Sequence, residues 1–238
     1  MSGDIAKFNA AQAALDYVKD GMIVGLGTGS TSAHFVRQLG ERVRQGLRVK
    51  GVPTSEATRN LAEQVGVPLV EISQDTSIDV DVDGADEVDP AFRLIKGGGG
   101  ALLREKIVAA ASKMMVVIAD DSKWVETLGD FPLPVEVTRF GFALTQERVA
   151  QALRATGCAG NEVVLRVSGK ANEPVITDGG NYILDAHAKR IADAVKLGAA
   201  LKDIAGVVEH GLFIGLSQVV IIGKAKGAEV KTAVGSRC

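Results

Sequence analysis

The sequence predicts an α/β fold: a Rossmann-like, mainly parallel sheet with helices on both faces, joined to a smaller α+β domain of ferredoxin-like βαββαβ type. Three observations carry this. Short apolar runs near 22–26, 49–52, 78–83 and 114–119 each end in a polar or glycine-rich turn, and helix-period segments lie between them. From about residue 131 the order changes to strand, helix, strand, strand, helix, strand, without glycine-rich strand-to-helix turns. The 238 residues are 46% apolar, enough for one large core or two modest ones. We assign 1–130 with 211–238 to the first domain and 131–210 to the second.

Taken in order, DIAKFNAAQAALDYVKD (4–20) has Ile5, Phe8, Leu15 and Val18 near helical spacing, with Gly21 as its C-cap. Met22 to Leu26 reads as a strand. GLGTGST (25–31) follows and runs into SAHFVRQLGERVRQ, whose Phe35, Val36, Leu39 and Val43 share a helical face. A strand is expected near Val49 to Val52, then a helix over 55–65 opening on a capping pattern at Thr54-Ser55-Glu56, then a short strand at Pro68 to Ile72. In SIDVDVDGADEVDP, Ile78, Val80 and Val82 alternate with Asp79, Asp81 and Asp83, the period of a strand. Ala91 to Lys96 is expected to pair with that strand or a neighbour. Four glycines, Gly97 to Gly100, break it, and ALLREKIVAAASK forms a helix. MMVVIA (114–119) is a buried-type parallel strand with DDSK after it. PLPVEVTR, EVVLRV, PVITD, NYILDAH and VVEHGLF supply strands of the second domain, and ALTQERVAQALRAT and KRIADAVKLGAALKDI its helices. QVVIIGKA and AEVKT are two strands free to return to the first sheet.

Four polar motifs, GTGST, DGAD, KGGGG and DDSK, each follow a predicted strand. In open parallel sheets ligands bind beyond the carboxyl ends of strands. The GTGST turn offers backbone N–H groups and the hydroxyls of Thr28, Ser30 and Thr31 to an anion at a helix N-terminus. A dinucleotide fingerprint would need glycine at Ser30 and an acid about twenty residues on, and a P-loop would need a lysine; neither is present. One phosphate monoester fits better than an ordinary N-cap, which needs fewer hydroxyls and glycines. The run from Asp79 to Gly84 imitates a calcium loop, but its twelfth position is Pro90 and a strand stands where a helix should. Asp79, Asp81, Glu87 and Asp89 read as a solvated acidic edge, while Asp83 and Asp86 bracket the turn and read as functional. Glu105, in the second turn of its helix at helical spacing from Leu102, Val108 and Ala109, lies on an apolar stripe. Desolvation there raises a carboxyl toward the range of a general base.

A net charge of -2 without a basic block argues against nucleic acid. No apolar run approaches a membrane span and no signal-peptide pattern opens the chain, so a cytoplasmic protein is expected. Cys158 and Cys238 have no metal-ligand spacing, and His34, His187 and His210 are scattered, so no metal is expected.

GLGTGST (25–31), DGADEVD (83–89), KGGGGALLREK (96–106), DDSK (120–123), TDGGNYILD (177–185) and GVVEHGLF (206–213) together resemble the ribose-5-phosphate isomerases of the A type, collinearly over nearly the whole chain. The resemblance implies interconversion of D-ribose 5-phosphate and D-ribulose 5-phosphate in the non-oxidative pentose phosphate pathway, no cofactor, a small sugar-phosphate substrate, and a homodimer or homotetramer. It implies Glu105 as the base, with Asp83 and Lys96 also catalytic. Thr28, Gly29, Ser30, Thr31, Lys7 and Lys123, the Asp83–Gly84–Ala85–Asp86 turn, and Lys96 with Gly97, Gly98 and Gly99 would contact substrate. It also leads one to expect a small or apolar residue at Asp81, whose side chain would alternate away from the neighbours of Asp83. Two rivals are weaker. An amino-sugar-phosphate isomerase/deaminase would need a histidine in these motifs, and a sugar-phosphate sensor would need an appended helix-turn-helix.

Overall fold

The computed structural model describes residues 2–169 and 171–233; Cys238 lies outside them. In chain order the elements are α1 (Ser2–Ala14), β1 (Ile23–Leu26), α2 (Ser30–Arg44), β2 (Lys50–Pro53), α3 (Glu56–Val65), β3 (Val80–Gly84), β4 (Glu87–Val88) and β5 (Leu94–Ile95). Then come α4 (Leu102–Ala111), β6 (Met115–Asp120), β7 (Leu133–Val137), α5 (Phe142–Ala155), β8 (Glu162–Leu165), β9 (Val167–Ser168) and β10 (Glu173–Pro174). The last are β11 (Tyr182–His187), α6 (Ala194–Lys202), β12 (Val207–His210), β13 (Leu212–Phe213), β14 (Val219–Lys224) and β15 (Gly227–Thr232).

The described residues form two compact units: 2–85 with 104–124 and 215–233, and 86–103 with 125–214. This division differs from the one expected from sequence in the segment 86–103 and, by a few residues, at 125–130 and 211–214, all of which fall in the second unit. Within 86–103, β5 pairs with β4 and with β13, not with β3, which ties the segment to the strands of the second unit.

The first unit is a six-stranded sheet in the order β15-β14-β6-β3-β1-β2, parallel except for the edge strand β15. Alternation along the strands sends Val24, Leu26, Val80, Val82, Val116 and Ile118 into one core with Phe35, Val36 and Leu39 of α2. The buried face of α1 is made by Ala6, Ala10, Ala11 and Ala14, whereas Ile5 and Phe8 are exposed. Close approach explains the choice of alanine: a Cβ added at Gly223 of β14 would fall 1.8 Å from the Ala6 carbonyl oxygen. α1 is also shorter than expected, ending at Ala14 in a 3-10 turn over Leu15–Tyr17. The expected strand at 68–72 reduces to one bridge, Leu69 to Gly51. Ser55 caps α3 by accepting from the Thr58 N–H at 3.1 Å.

α4 crosses behind the sheet from β3 to β6. Ser112, just past its end, bridges to Ile78 ahead of β3, so the helix runs antiparallel to the strands. Its N-terminus therefore lies toward their carboxyl ends.

The second unit holds an antiparallel sheet in the order β12-β7-β11-β8, with α5 and α6 as its crossovers, the ferredoxin-like arrangement. Leu133, Val135, Val137, Leu184, Ala186, Val149, Leu153, Leu197 and Leu201 form its core. α6 starts at Ala194, five residues later than the KRIADAV pattern suggests, because Asp193 accepts from the Lys196 N–H and sets the start there. The small sheets β9–β10 and β13-β5-β4 complete it. Among the described residues no helix is long and apolar enough to cross a membrane, and no group of three or more His, Cys, Asp or Glu is placed to hold a metal ion.

Candidate active site

Three of the four predicted motifs sit on one rim of the parallel sheet: GTGST after β1, the DGA turn after β3 and DDSK after β6. KGGGG does not. It follows β5, a strand of the three-stranded antiparallel sheet in the second unit.

In the first unit Asp83 organises the rim. It is fully buried, and its Oδ1 accepts from the N–H of Thr28 at 3.1 Å, the N–H of Gly84 at 2.7 Å and the Ser32 hydroxyl at 3.2 Å. Those bonds tie the β3 turn to the β1 turn. Gly27 is glycine for a steric reason, since an added Cβ would sit 2.0 Å from Asp83 Oδ1. Thr28 Oγ1 lies within hydrogen-bond reach of three hydroxyls, Thr54 at 2.8 Å, Ser55 at 2.8 Å and Thr58 at 3.2 Å. Thr58 in turn donates to the Gly27 carbonyl. This cluster went unread in the sequence, although PTSEAT directly after β2 placed three hydroxyl residues at a strand end. Gly29 takes φ +106 ahead of α2, leaving Gly29 and Ser30 exposed at the helix N-terminus, with Thr31 next to them. The Lys7 ammonium donates to Ser30 Oγ at 3.0 Å, bringing the first helix to that turn. Lys123 closes a 3-10 turn that Asp120 caps through the Ser122 N–H.

Glu105 falls in the first turn of α4, since the helix starts at Leu102, and is 3% exposed. Val108 packs where a Cβ on Gly25 of β1 would reach it, beside Asp81 Oδ1. Glu105 precedes Val108 by three residues on the same helical face, so it stands one turn nearer the carboxyl rim, level with Gly27 and Asp83. The geometry also corrects two expectations. Asp81 is fully buried in a central strand, and two residues apart on a strand means the same face, so it shares the α4 side with Asp83. Glu87 and Asp89 are likewise buried and serve local structure. Glu87 accepts from the N–H groups of Gly129 and Phe131, and burial pushes its carboxyl above the ordinary range. Asp89 accepts from the N–H of Ala91 and Arg93 and pairs with the Arg93 guanidinium. Asp79 is partly exposed; its bond from Lys113 and the Ile23 N–H hold its carboxyl below the ordinary range.

In the second unit the Asp86 carboxylate accepts from the Gly98 N–H at 2.7 Å. Gly97 takes φ +104 and Gly100 φ +82, and Gly98 and Gly99 are exposed. Lys96 is 2% exposed, its main chain bonded to Gly211 and its ammonium 5.4 Å from the Phe213 ring centroid. Arg166 donates to the carbonyls of Gly97 and Gly98. Neither Phe213 nor Arg166 stood out in the sequence, because no local pattern joins them to residues 96–98.

A family model described as ribose 5-phosphate isomerase A (phosphoriboisomerase A) matches residues 50–227. A ribose-5-phosphate isomerase A from Maricaulis maris is 56% identical over 221 residues, covering 93% of this chain and 95% of that one. A solved D-ribose-5-phosphate isomerase in complex with phospho-erythronic acid superposes with TM-score 0.88 at 37% identity, covering 98% of this chain and all (100%) of that one. The ribose 5-phosphate isomerase A of Methanocaldococcus jannaschii does so with TM-score 0.86 at 42% identity, over 95% and 98% of the two chains. With this match running along nearly its whole length, the chain belongs to the ribose-5-phosphate isomerase A family.

Proposed function

We propose that this chain interconverts D-ribose 5-phosphate and D-ribulose 5-phosphate through an enediolate, with Glu105 moving the proton. The observation that carries the assignment is a nearly dehydrated carboxylate on an apolar helix face, at the rim where the hydroxyl-rich turn opens α2. In the open-chain aldose, Glu105 removes the C2 proton, the C2 electrons form the C1–C2 double bond, and O1 becomes an oxyanion. Transfer of the O2 proton to O1 and return of the original proton to C1 leave the carbonyl at C2.

The phosphate is assigned to Thr28, Gly29, Ser30 and Thr31 with Lys7, supported by the α2 N-terminus and the Lys7–Ser30 bond. Asp83 and Asp86 orient hydroxyls, with Gly84 and Ala85 lining the turn between them, and one of the two carboxylates assists opening of the furanose ring. Lys96 and Lys123 with the amides of Gly97, Gly98 and Gly99 take the developing oxyanion charge. The same reading makes the enzyme cytoplasmic and a homodimer, and light scattering on the purified protein tests the dimer.

Glu105→Gln keeps shape and removes the base. We expect kcat on ribose 5-phosphate to fall by about 10²–10⁴-fold with KM little changed. Turnover near that of the parent would remove Glu105 from the role. Saturable binding without turnover in the parent would favour a sensor.

A further inference from the structure

We propose that Arg166 and Asp185 form a positioning pair that sets the orientation of the glycine loop, and through it the substrate-facing groups that loop holds. This rests on the isomerase reading and names residues that reading does not use.

The guanidinium is shared in two directions. One nitrogen, Nη1, donates to the Gly97 carbonyl at 2.8 Å and the Gly98 carbonyl at 3.1 Å. The opposite edge, Nε and Nη2, forks onto both carboxylate oxygens of Asp185, with Nε at 2.9 Å from Oδ2. The two side chains are only 14% and 18% exposed, so the pair is largely shielded from water and geometrically fixed, unlike a surface ion pair.

The strand register produces the fork. The Arg166 N–H donates to the Ile183 carbonyl, so Arg166 stands opposite Ile183, and Asp185 lies two residues further along β11 on the same face. The glycine loop passes over this face: a Cβ on Gly100 would meet Ile183 Cδ1 at 3.5 Å.

Peptide planarity turns this contact into a directional device. In a trans peptide the carbonyl of one residue and the N–H of the next point opposite ways. With the Gly97 carbonyl held on Arg166, the Gly98 N–H must face away, and it does so onto Asp86 at 2.7 Å. With the Gly98 carbonyl held as well, the Gly99 N–H is sent to the exposed side of the loop. The loop is closed internally by the Gly100 N–H, which donates to the Gly97 carbonyl at 3.0 Å, but glycines have the widest choice of backbone conformations, so presenting the exposed amides in one direction calls for a restraint from outside the loop as well. Arg166 provides that restraint and Asp185 holds Arg166. Lysine carries its three donors on one nitrogen and lacks the planar fork, so it cannot span the two carbonyls on one side and the carboxylate on the other in this geometry.

The test uses Arg166→Met, Arg166→Ala, Arg166→Lys and Asp185→Asn in the full chain, with two independent readouts. On ribose 5-phosphate, Arg166→Met should lose about 30-fold or more in kcat with KM within about threefold, a pattern that misplaced groups generate and simple loss of folded protein does not. Arg166→Lys should recover little. Added guanidinium should restore part of the activity of Arg166→Ala at concentrations that leave its melting temperature unchanged. Asp185→Asn, which keeps volume, should lose about five- to tenfold and serves if the arginine variants fold poorly. Separately, the Gly98 amide proton should move upfield in Arg166→Met without any substrate present. Unchanged Gly98 and Gly99 amide resonances would overturn the clamp. Moved resonances with kcat within twofold of the parent would overturn its part in the reaction. A parent enzyme inactive on ribose 5-phosphate would instead sink the isomerase reading, leaving the resonances to judge the clamp.

Discussion

The ammonium of Lys96 is held 5.4 Å from the centroid of the Phe213 ring, with both side chains buried. The antiparallel register of β13 on β5 sets Phe213 opposite Leu94, and Lys96, two residues on, shares that face as a diagonal neighbour. The negative face of an aromatic ring attracts a cation, by about 2 kcal/mol when water is excluded. A charge assigned to an oxyanion must stay in place while the oxyanion forms, so the ring should matter to kcat more than to KM. Substituting Phe213 with phenylalanines carrying one, two and three ring fluorines weakens the ring's negative face at nearly constant shape. We expect kcat to fall stepwise along the series, and Phe213→Leu to lose roughly 5- to 30-fold. A flat series would leave the ring a packing role only.

Lys7 reaches Ser30 from a different element, at the exposed start of α2. A charged donor there should hold a phosphate through ground state and transition state alike. Lys7→Met should therefore raise KM by about tenfold with kcat nearly unchanged, the cost of one charge-assisted bond. Inhibition by inorganic phosphate should weaken in parallel, and KM should become less sensitive to salt. A change confined to kcat would assign Lys7 elsewhere.

What the sequence made legible follows the range of the interactions involved. GTGST, DGAD and Glu105 could be read because strand, turn and helix period are local, and the rim rule needs only the order of elements. Asp81, Glu87 and Asp89 could not be placed, because an aspartate reads as solvated until the strand carrying it proves to be central or its lone pairs prove to be filled by backbone. The segment 86–103 was drawn into the first domain by proximity in sequence, and only its pairing with β13, more than a hundred residues away, places it in the second unit. Arg166 depended on the β8–β11 register in the same way. On α1, large residues suggested the buried face, and the closeness of β14 selected alanines instead.

Glu229 on the edge strand accepts from Lys224 and Lys231, each at 2.6 Å. These bonds, Lys224 first, pull its carboxyl from 4.5 down to about 2. The folded value lies below the unfolded one, so folding favours the ionised form. This stabilisation is present above about pH 4.5 and disappears as pH falls through about 2. The side chain is 43% exposed, so salt should screen the effect. Carbon-13 titration of the Glu229 carboxyl should give a midpoint near 2 in the parent and return it toward 4.5 in a Lys224→Met/Lys231→Met variant. An ordinary midpoint in the parent would mean that the ion pairs do not persist in solution.

Gly27 sets how closely β1 approaches β3 at the rim. An added Cβ would lie 2.0 Å from Asp83 Oδ1, 2.3 Å from Asp83 Cγ and 2.6 Å from Asp83 Cα. Rotating the carboxylate relieves the first two contacts but not the third, which is backbone. It would also break the bonds that Oδ1 accepts from Thr28, Gly84 and Ser32. Gly27→Ala should therefore both destabilise the fold and disturb the site, at about 1–3 kcal/mol for the overpacking alone with more from the lost hydrogen bonds. In denaturant melts the midpoint should drop without a change in slope, and the surviving folded enzyme should show a raised KM, because Thr28 and the start of α2 are displaced with Gly27. Asp83→Ala in the same background should recover part of the stability by removing the carboxylate, and none of the activity. A Gly27→Ala enzyme as stable and as active as the parent would mean that the β1 turn is not held against Asp83 in solution.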